Sequence, residues 1–190
     1  MSKNKNFLYQ IFVISLLFSS LNISAAKKPN IVLILIDDLG LTDLQAFGGE
    51  ISTPNMDVLA NDGMLFTNYH TTPECAPSRA MLLTGMDNHN TGIPMIPEVM
   101  PWKYRNIPGY EGYLREDALT LAEILKPAGY KSYMTGKWHL AFGGQKTAAL
   151  PYHRGFDKTF ILDATGGNNF SHHSYLCLLY TSPSPRDVHL

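Results

Sequence analysis

An uninterrupted apolar run near the start of the chain constrains its fold more than any other feature. Residues 31–36 read IVLILI, and two aspartates, Asp37 and Asp38, follow directly. The lack of polar alternation predicts a strand buried on both faces, as in the centre of a parallel sheet. Ligands bind open parallel sheets beyond the carboxyl ends of their strands. The run therefore predicts a parallel α/β fold with two carboxylates at its functional edge, although adjacent aspartates also occur in capped turns.

Helix and strand signals alternate along the rest of the chain. Helix starts are predicted at or near Thr53, Pro77 and Thr120, and the corresponding ends at Gly63, Gly85 and Gly129. Two further segments, residues 64–70 and 130–135, are predicted as strands. This alternation indicates a layered α/β fold. Residues 88–114 are rich in Gly, Pro, Met and aromatic residues without a clear period, which predicts a long ordered loop that lines a pocket.

The two ends of the chain differ from its middle. Residues 1–26 combine early lysines, an apolar segment broken by Ser and Asn, and the small residues SAA, which is the pattern of a secretory signal peptide. An uncleaved N-terminal anchor is the alternative. Either interpretation predicts export, to the periplasm or the medium. Residues 176–190 are irregular and contain Ser-Pro repeats, and we predict that they are not native sequence.

Charge and cysteine content narrow the function. The formal net charge is −1, so nothing favours a nucleic acid or an anionic membrane as partner, and a small anion would need a local positive site. The two cysteines, Cys75 and Cys177, would ordinarily form a disulfide in an exported protein. However, Arg79 lies one helical turn from Cys75, and a helix beginning near Pro77 would direct its amide end to the same place. Position 75 is thus predicted to lie at an anion-binding point, and spacing alone does not identify the chemistry.

Three segments, in order, resemble the signatures of the sulfatase family. They are PNIVLILIDDLG at residues 29–40, CAPSRAMLLTG at residues 75–85 and GYKSYMTGKWH at residues 129–139. The segments between them also resemble bacterial arylsulfatases, so the resemblance covers residues 29 to about 175. Two residues depart from the usual pattern, since Glu74 replaces a small or apolar residue and Thr135 replaces a small apolar one.

The resemblance implies a fold and a modified residue. The fold is the alkaline-phosphatase-like sulfatase fold, with a mostly parallel central sheet flanked by helices, and residues 27–175 would be the N-terminal part of the catalytic domain. In this family the cysteine at position 75 is converted to formylglycine by a maturation enzyme. One hydroxyl of its hydrate attacks sulfur, the alcohol or phenol leaves, and the second hydroxyl then expels sulfate.

The resemblance also assigns roles to individual side chains. Asp37, Asp38 and the residue at 75 would bind a divalent cation, usually Ca²⁺ in bacterial members, with Mg²⁺ as the alternative. Arg79 would orient the hydrate. Lys137 would contact both sulfate and residue 75, and His139 would hydrogen-bond the hydrate and move its proton. Trp138 is predicted to pack in the core. Five further histidines could each be ligands, but a lone histidine is more often a surface or core residue, and we interpret them so: His70, His89, His153, His172 and His173.

The implied activity is hydrolysis of sulfate esters, either aryl or carbohydrate sulfates. The alternatives are a phosphate or phosphonate monoester hydrolase of the same superfamily and a non-catalytic exported binding protein. Relatives of this kind are longer and provide a second metal-binding Asp-Asn pair, a second histidine and a second lysine from later sequence. The resemblance therefore predicts an incomplete catalytic domain that is nearly inactive alone, and a maturation enzyme as partner but no nucleic acid and no stable membrane partner.

Overall fold

The computed structural model describes residues 27–105, 107–142 and 146–163, together with the backbone of Cys177–Thr181. The chain divides into two units, Met1–Ile36 and Asp37–Leu190. In the first unit, the described residues 27–36 form neither helix nor strand, and their side chains are exposed. The predicted signal peptide lies outside the described residues. No helix in the described part of the chain has the length and apolarity needed to span a membrane.

Two of the predicted strands are wrong in this structure. Residues 31–36 form no strand, and their apolar side chains are between 43% and 81% exposed. Residues 64–70 also form no strand, and Met64 and Phe66 are exposed. An apolar run shows that side chains favour burial, but a strand forms only where a second strand accepts and donates its backbone hydrogen bonds. The sequence pattern does not contain that partner.

The three predicted helices are confirmed. They are α1 (Pro54–Asp62), α2 (Cys75–Thr84) and α4 (Leu121–Leu125), and a short helix, α3 (Asn88–Thr91), opens the predicted loop. Short 3₁₀ turns connect these elements, at Leu41–Asp43, Gln45–Phe47, Pro97–Val99, Trp102–Tyr104, Lys126–Ala128, Thr147–Ala149 and Pro151–His153. The predicted long loop at residues 88–114 is thus built from short turns. The 3₁₀ turn Lys126–Ala128 follows α4 directly and ends at Gly129, which is the predicted end of this helical segment.

Helix α2 begins two residues earlier than predicted, at Cys75 instead of Pro77. The first-turn amides of a helix have no intrahelical acceptor, so Pro77 loses no hydrogen bond inside that turn. Gly85 ends the helix in the left-handed region at φ 68°, with its amide donating to the Met81 carbonyl at 2.8 Å. Cys75 is therefore the first residue of a helix whose Ala76 and Ala80 side chains are fully buried.

The sheet contains a parallel pair, as predicted, and one antiparallel strand. Strand β1 (Tyr133–Lys137) pairs in parallel with β2 (Lys158–Leu162), and β2 pairs antiparallel with β3 (Cys177–Thr181). Strand β1 begins three residues later than the predicted strand of residues 130–135 and extends two residues beyond its predicted end, to Lys137. Gly136 takes φ 102° in that strand, a conformation that glycine adopts without strain. The β3 strand falls within residues 176–190, whose non-native origin stays a prediction.

The core lies between α2 and the segment after β1. Trp138 is fully buried, its indole Nε1 donates to the Ala149 carbonyl at 3.0 Å, and its ring meets Phe156 edge-on at 5.8 Å. The prediction that Trp138 serves packing is confirmed. Residues that pack with it include Ala76, Ala80, Ile93, Leu114, Leu140 and Ile161. Because Trp138 lies between Lys137 and His139, its burial fixes the backbone that joins these two residues.

A second buried contact fixes the start of α4. Thr120 and Glu123 form the predicted capping box, with the Thr120 amide donating to Glu123 Oε2 at 2.7 Å. Arg154, which is 2% exposed, donates to the same carboxylate at 3.2 Å and to the backbone carbonyl of Arg115 at 2.9 Å. Burial raises the pKa of Glu123, but the Thr120 amide and the Arg154 guanidinium outweigh it, so the pKa lies below its usual value of 4.5.

We expect Glu123 to contribute to stability above pH 4.5 and to lose that contribution as the pH falls through its lowered folded-state pKa. Glu123→Gln should therefore lower the unfolding free energy at neutral pH by about 1–2 kcal/mol. It should also flatten the decline of Tm between about pH 5 and pH 3. Thermal unfolding across this pH range measures both effects. The exposed Glu116→Gln is the matched control, and equal pH profiles for the two variants would contradict the assignment.

Candidate active site

The site is built where the first turn of α2 meets the end of β1 and the residues after it. Cys75 and Arg79 come from one face of α2, Lys137 is the last residue of β1, and His139 lies two residues beyond it. Asp37 opens the second unit of the chain. Five of the six predicted site residues are therefore joined by direct contacts, in two groups.

The first group is one carboxylate between two cations. Arg79 Nη2 donates to Asp37 Oδ1 at 2.9 Å, and Lys137 Nζ donates to Asp37 Oδ2 at 2.9 Å. Arg79 Nη1 also donates to the Lys137 carbonyl at 2.7 Å, which ties α2 to β1. The Arg79 and Lys137 side chains are 8% and 11% exposed, whereas the Asp37 side chain is 41% exposed. Two nearly buried cations thus converge on a carboxylate that solvent still reaches.

Electrostatics keep Asp37 ionised. Burial raises the pKa of its carboxyl group, but the hydrogen bonds and charges of Lys137 and Arg79 outweigh that effect and lower the pKa below 3.8. The group therefore carries one negative and two positive charges near neutral pH. A net positive charge in a partly buried site favours an additional anion.

The second group runs from Cys75 through His139 to Glu98. His139 Nδ1 lies 3.4 Å from Cys75 Sγ, and His139 Nε2 lies 3.0 Å from Glu98 Oε2. Cys75 is a free thiol, so the disulfide alternative is not formed in this structure. His139 is only 1% exposed. A histidine against the first residue of a helix can hold or transfer a proton at that residue.

The backbone around His139 is held in an unusual conformation. His139 has φ 62°, in the left-handed region that few non-glycine residues occupy. On one side, the Trp138 amide donates to the Leu162 carbonyl at 2.8 Å. On the other, the fully buried Asp163 accepts the Leu140 amide at 3.0 Å and the Ala141 amide at 3.2 Å. These bonds hold the backbone on both sides of His139, whose imidazole contacts Cys75.

Asp38 completes the predicted set but stands apart from both groups. It follows Asp37 with φ 55°, and its side chain is exposed. In the described part of the chain, no three His, Cys, Asp or Glu side chains form a group that could hold a metal ion. Asp37 and Asp38 nevertheless provide the carboxylate oxygens that a hard divalent cation prefers, and both Asp37 oxygens accept hydrogen bonds from Arg79 and Lys137 in this structure.

The other histidines lie away from these contacts or outside the described residues. His89 packs against Tyr110, with ring centroids 5.5 Å apart, and His70 hydrogen-bonds Asn68 at 2.7 Å. His153 packs against Tyr152, with ring centroids 4.3 Å apart. His172 and His173 lie outside the described residues.

Sequence reasoning missed Glu98 altogether. It lies in the 3₁₀ turn Pro97–Val99 of the predicted loop. The signal was available, because Glu98 is the only charged residue in the otherwise apolar segment of residues 93–101. A lone carboxylate in such a segment usually has a specific partner.

Fold and contacts together define a class: an α/β protein in which a histidine contacts a thiol at a helix start and two nearly buried cations share one carboxylate. The sulfatase family model matches residues 29–182. The chain belongs to the sulfatase family.

Relatives and solved structures agree with this assignment. An arylsulfatase of Klebsiella aerogenes is 40% identical over 148 residues, which cover 76% of this chain and 30% of that protein. An uncharacterized sulfatase of Schizosaccharomyces pombe is 44% identical over 151 residues, covering 77% of this chain and 26% of that protein. The crystal structure of Ps i-CgsB in complex with k-i-k-neocarrahexaose is 35% identical, with a TM-score of 0.62, and covers 75% of this chain and 30% of that one. The chain thus spans less than a third of each protein.

Proposed function

We propose that the protein hydrolyses sulfate esters, with residue 75 as the nucleophile after conversion to formylglycine. The observation that carries the proposal is the contact between Cys75 and His139 beside the cationic pair Arg79 and Lys137, in a chain of the sulfatase family. A thiol alone is a poor match for an exported site of this kind. Formylglycine at this position supplies a hydrated aldehyde whose hydroxyl is the attacking group.

His139 manages the proton at position 75. Its Nδ1 lies 3.4 Å from Cys75 Sγ, within reach of a hydroxyl on the same side chain. Because the ring is nearly buried, water has little opportunity to compete for that nitrogen. His139 thus accepts the proton of the attacking hydroxyl, and that proton passes to the departing alkoxide or phenoxide. His139 then accepts the proton of the second hydroxyl as that group forms the aldehyde and sulfate leaves.

Arg79 and Lys137 bind the anion. Both cations are nearly buried, and Asp37 neutralises only one of their two charges. A sulfate group near these side chains would gain fixed positive charge without reorganising solvent. The same charges stabilise the negative charge that develops on the oxygens as the ester bond breaks.

Asp37 and Asp38 are the residues that would hold a divalent cation, Ca²⁺ with Mg²⁺ as the alternative. Such an ion, when bound, would polarise a sulfate oxygen and favour ionisation of the nucleophile. Asp37 supplies an ionised carboxylate, and a cation bound there would replace a hydrogen bond from Arg79 or Lys137. Further ligands would come from outside the residues described here.

The proposal also covers partners and location. A formylglycine-generating enzyme would act on the segment that begins at Cys75, before α2 is formed, and the protein would be exported to the periplasm or the medium. Carbohydrate sulfates are favoured as natural substrates by the oligosaccharide complex of the Ps i-CgsB relative, and aryl sulfates by the arylsulfatase relatives.

A comparison of two esters tests the reaction. The full-length protein that carries this chain is produced with a formylglycine-generating enzyme, and kcat/KM is measured for an aryl sulfate and for the matching aryl phosphate. We expect the sulfate to be preferred by about 10²-fold or more, since the charge of the site suits a monoanionic group. Preference for the phosphate would favour the phosphate monoester hydrolase, and no hydrolysis of either ester would favour a binding protein.

A further inference from the structure

We propose that Glu98 is a positioning residue that acts through His139. The inference rests on the proposed function, because it assigns the residue that prepares His139 for proton transfer. The carboxylate lies 3.0 Å from His139 Nε2, on the opposite side of the ring from Cys75. Residue 75, the imidazole and a carboxylate thus form one continuous line of contacts.

The chemistry of Glu98, His139 and residue 75 determines which of the two imidazole nitrogens donates a hydrogen bond and which accepts one. An ionised carboxylate only accepts hydrogen bonds, so Nε2 must carry the proton that is donated to Glu98. In the neutral ring, Nδ1 is then the unprotonated nitrogen, and it is the one that faces position 75. Glu98 therefore selects the tautomer that can accept a proton from the nucleophile. In other hydrolytic sites, carboxylates hold a histidine ring in the required tautomer and orientation in the same way.

The segment that carries Glu98 is held in place. Its 3₁₀ turn, Pro97–Val99, begins at a buried proline. The amide of Ile96 donates to Glu74 Oε2 at 2.5 Å, and Glu74 directly precedes the nucleophile. The loop is therefore anchored at one point beside Cys75 and at another on His139. This contact also gives a role to Glu74, the residue that departs from the family pattern.

Burial makes the Glu98 contact more than a surface ion pair. The His139 side chain is 1% exposed and the Glu98 side chain 38% exposed. Exposed pairs contribute little because both partners exchange freely with water. The buried His139 ring cannot exchange freely with water. Its backbone is already held by the hydrogen bonds of Asp163 and of the Trp138 amide, so Glu98 contacts a histidine in a fixed position.

Kinetics of Glu98 variants in the full-length matured protein provide the first test. Glu98→Ala should lower kcat by about 10- to 100-fold, by analogy with the loss of carboxylates that orient metal-binding histidines. KM should change by less than about twofold, because Glu98 does not touch the sulfate. Glu98→Gln keeps an acceptor oxygen at the same reach, so it should recover part of the loss. The exposed Glu116→Gln is the control and should behave as wild type.

The tautomer of His139 provides a readout that does not depend on activity. The same variants are labelled with ¹⁵N-histidine, and NMR identifies which ring nitrogen of His139 carries the proton, with His139→Asn used to assign the signal. Wild type and Glu116→Gln should show the proton on Nε2, and Glu98→Ala should redistribute it.

The two readouts separate the possible failures. If wild type cleaves no sulfate ester but Glu98→Ala changes the protonated nitrogen, the proposed function fails and the role of Glu98 stands. If wild type is active and Glu98→Ala leaves both kcat and the His139 signal unchanged, the role of Glu98 is overturned. A loss of kcat in Glu98→Ala with a matching loss of folded protein and no rescue in Glu98→Gln would also overturn it.

Discussion

Cys75→Ala in the full-length matured protein is expected to lower kcat/KM for sulfate esters by about 10⁴-fold or more, the scale seen when a nucleophile is removed. Residue 75 supplies the attacking group, and no neighbouring side chain in the described site can replace it with the same geometry. Stability should change little, by about 1 kcal/mol or less, because Cys75 is the first residue of α2 and is only partly buried. Steady-state kinetics and thermal unfolding measure the two quantities.

A substitution at Ala76, the next residue of the same helix, is the matched control for Cys75→Ala. Ala76 is fully buried, so Ala76→Ser should lower Tm while the remaining folded enzyme keeps its kcat. The opposite pattern at position 75, with a large fall in Tm and residual turnover, would mean that Cys75 is a core residue and not the reacting one.

Asp37→Asn is expected to have the second largest effect. Asparagine keeps the shape of the side chain but removes the charge that lies between Arg79 and Lys137. We expect kcat/KM to fall by about 10²–10³-fold, because the proposed cation loses a ligand and the two side chains lose their anchor. The unfolding free energy should fall by about 1–3 kcal/mol, a range that allows for the partial exposure of Asp37.

Denaturant unfolding and kinetics, each with and without added Ca²⁺, measure these effects. The wild type should gain stability with Ca²⁺, whereas Asp37→Asn should gain less. Asp62→Asn is the control, since Asp62 is exposed at the end of α1. Wild-type kinetics in Asp37→Asn would contradict the role assigned to this carboxylate.

Local signals predicted most helices because capping and termination act within a few residues. The Thr120–Glu123 capping box and the glycine end at Gly85 are complete in the sequence itself, and both form as expected. The start of α2 was misplaced by two residues, because a proline is tolerated at any position of the first turn. The difference matters, since the observed start places Cys75 inside the helix and the predicted start at Pro77 left it outside.

Long-range pairing could not be predicted in the same way. The apolar run at residues 31–36 indicates burial, but its predicted strand is absent because the pattern carries no information on the partner strand. Strand β1 was recognised, but its extension to Lys137 depends on pairing with Leu162, which lies 25 positions further on. Contacts between distant residues decide where a strand ends.

The candidate site shows the same difference between local sequence signals, which were predictable, and contacts between distant residues, which were not. The family motifs predicted the residues of the site, and the structure brings Cys75 to His139 and joins Asp37 to Arg79 and Lys137. The motifs did not predict that Asp37 would bind both cations. They also did not predict Glu98, because its role depends on a loop contact that no local pattern encodes.

The mass of the peptide that carries residue 75 tests the central claim most directly. The full-length protein is expressed with a formylglycine-generating enzyme, digested and measured by mass spectrometry, and its sulfate ester hydrolysis is assayed on the same sample. We predict an aldehyde in place of the thiol, with activity proportional to the converted fraction. An intact thiol in a sample that hydrolyses sulfate esters at full rate, or complete conversion with no hydrolysis, would contradict the account.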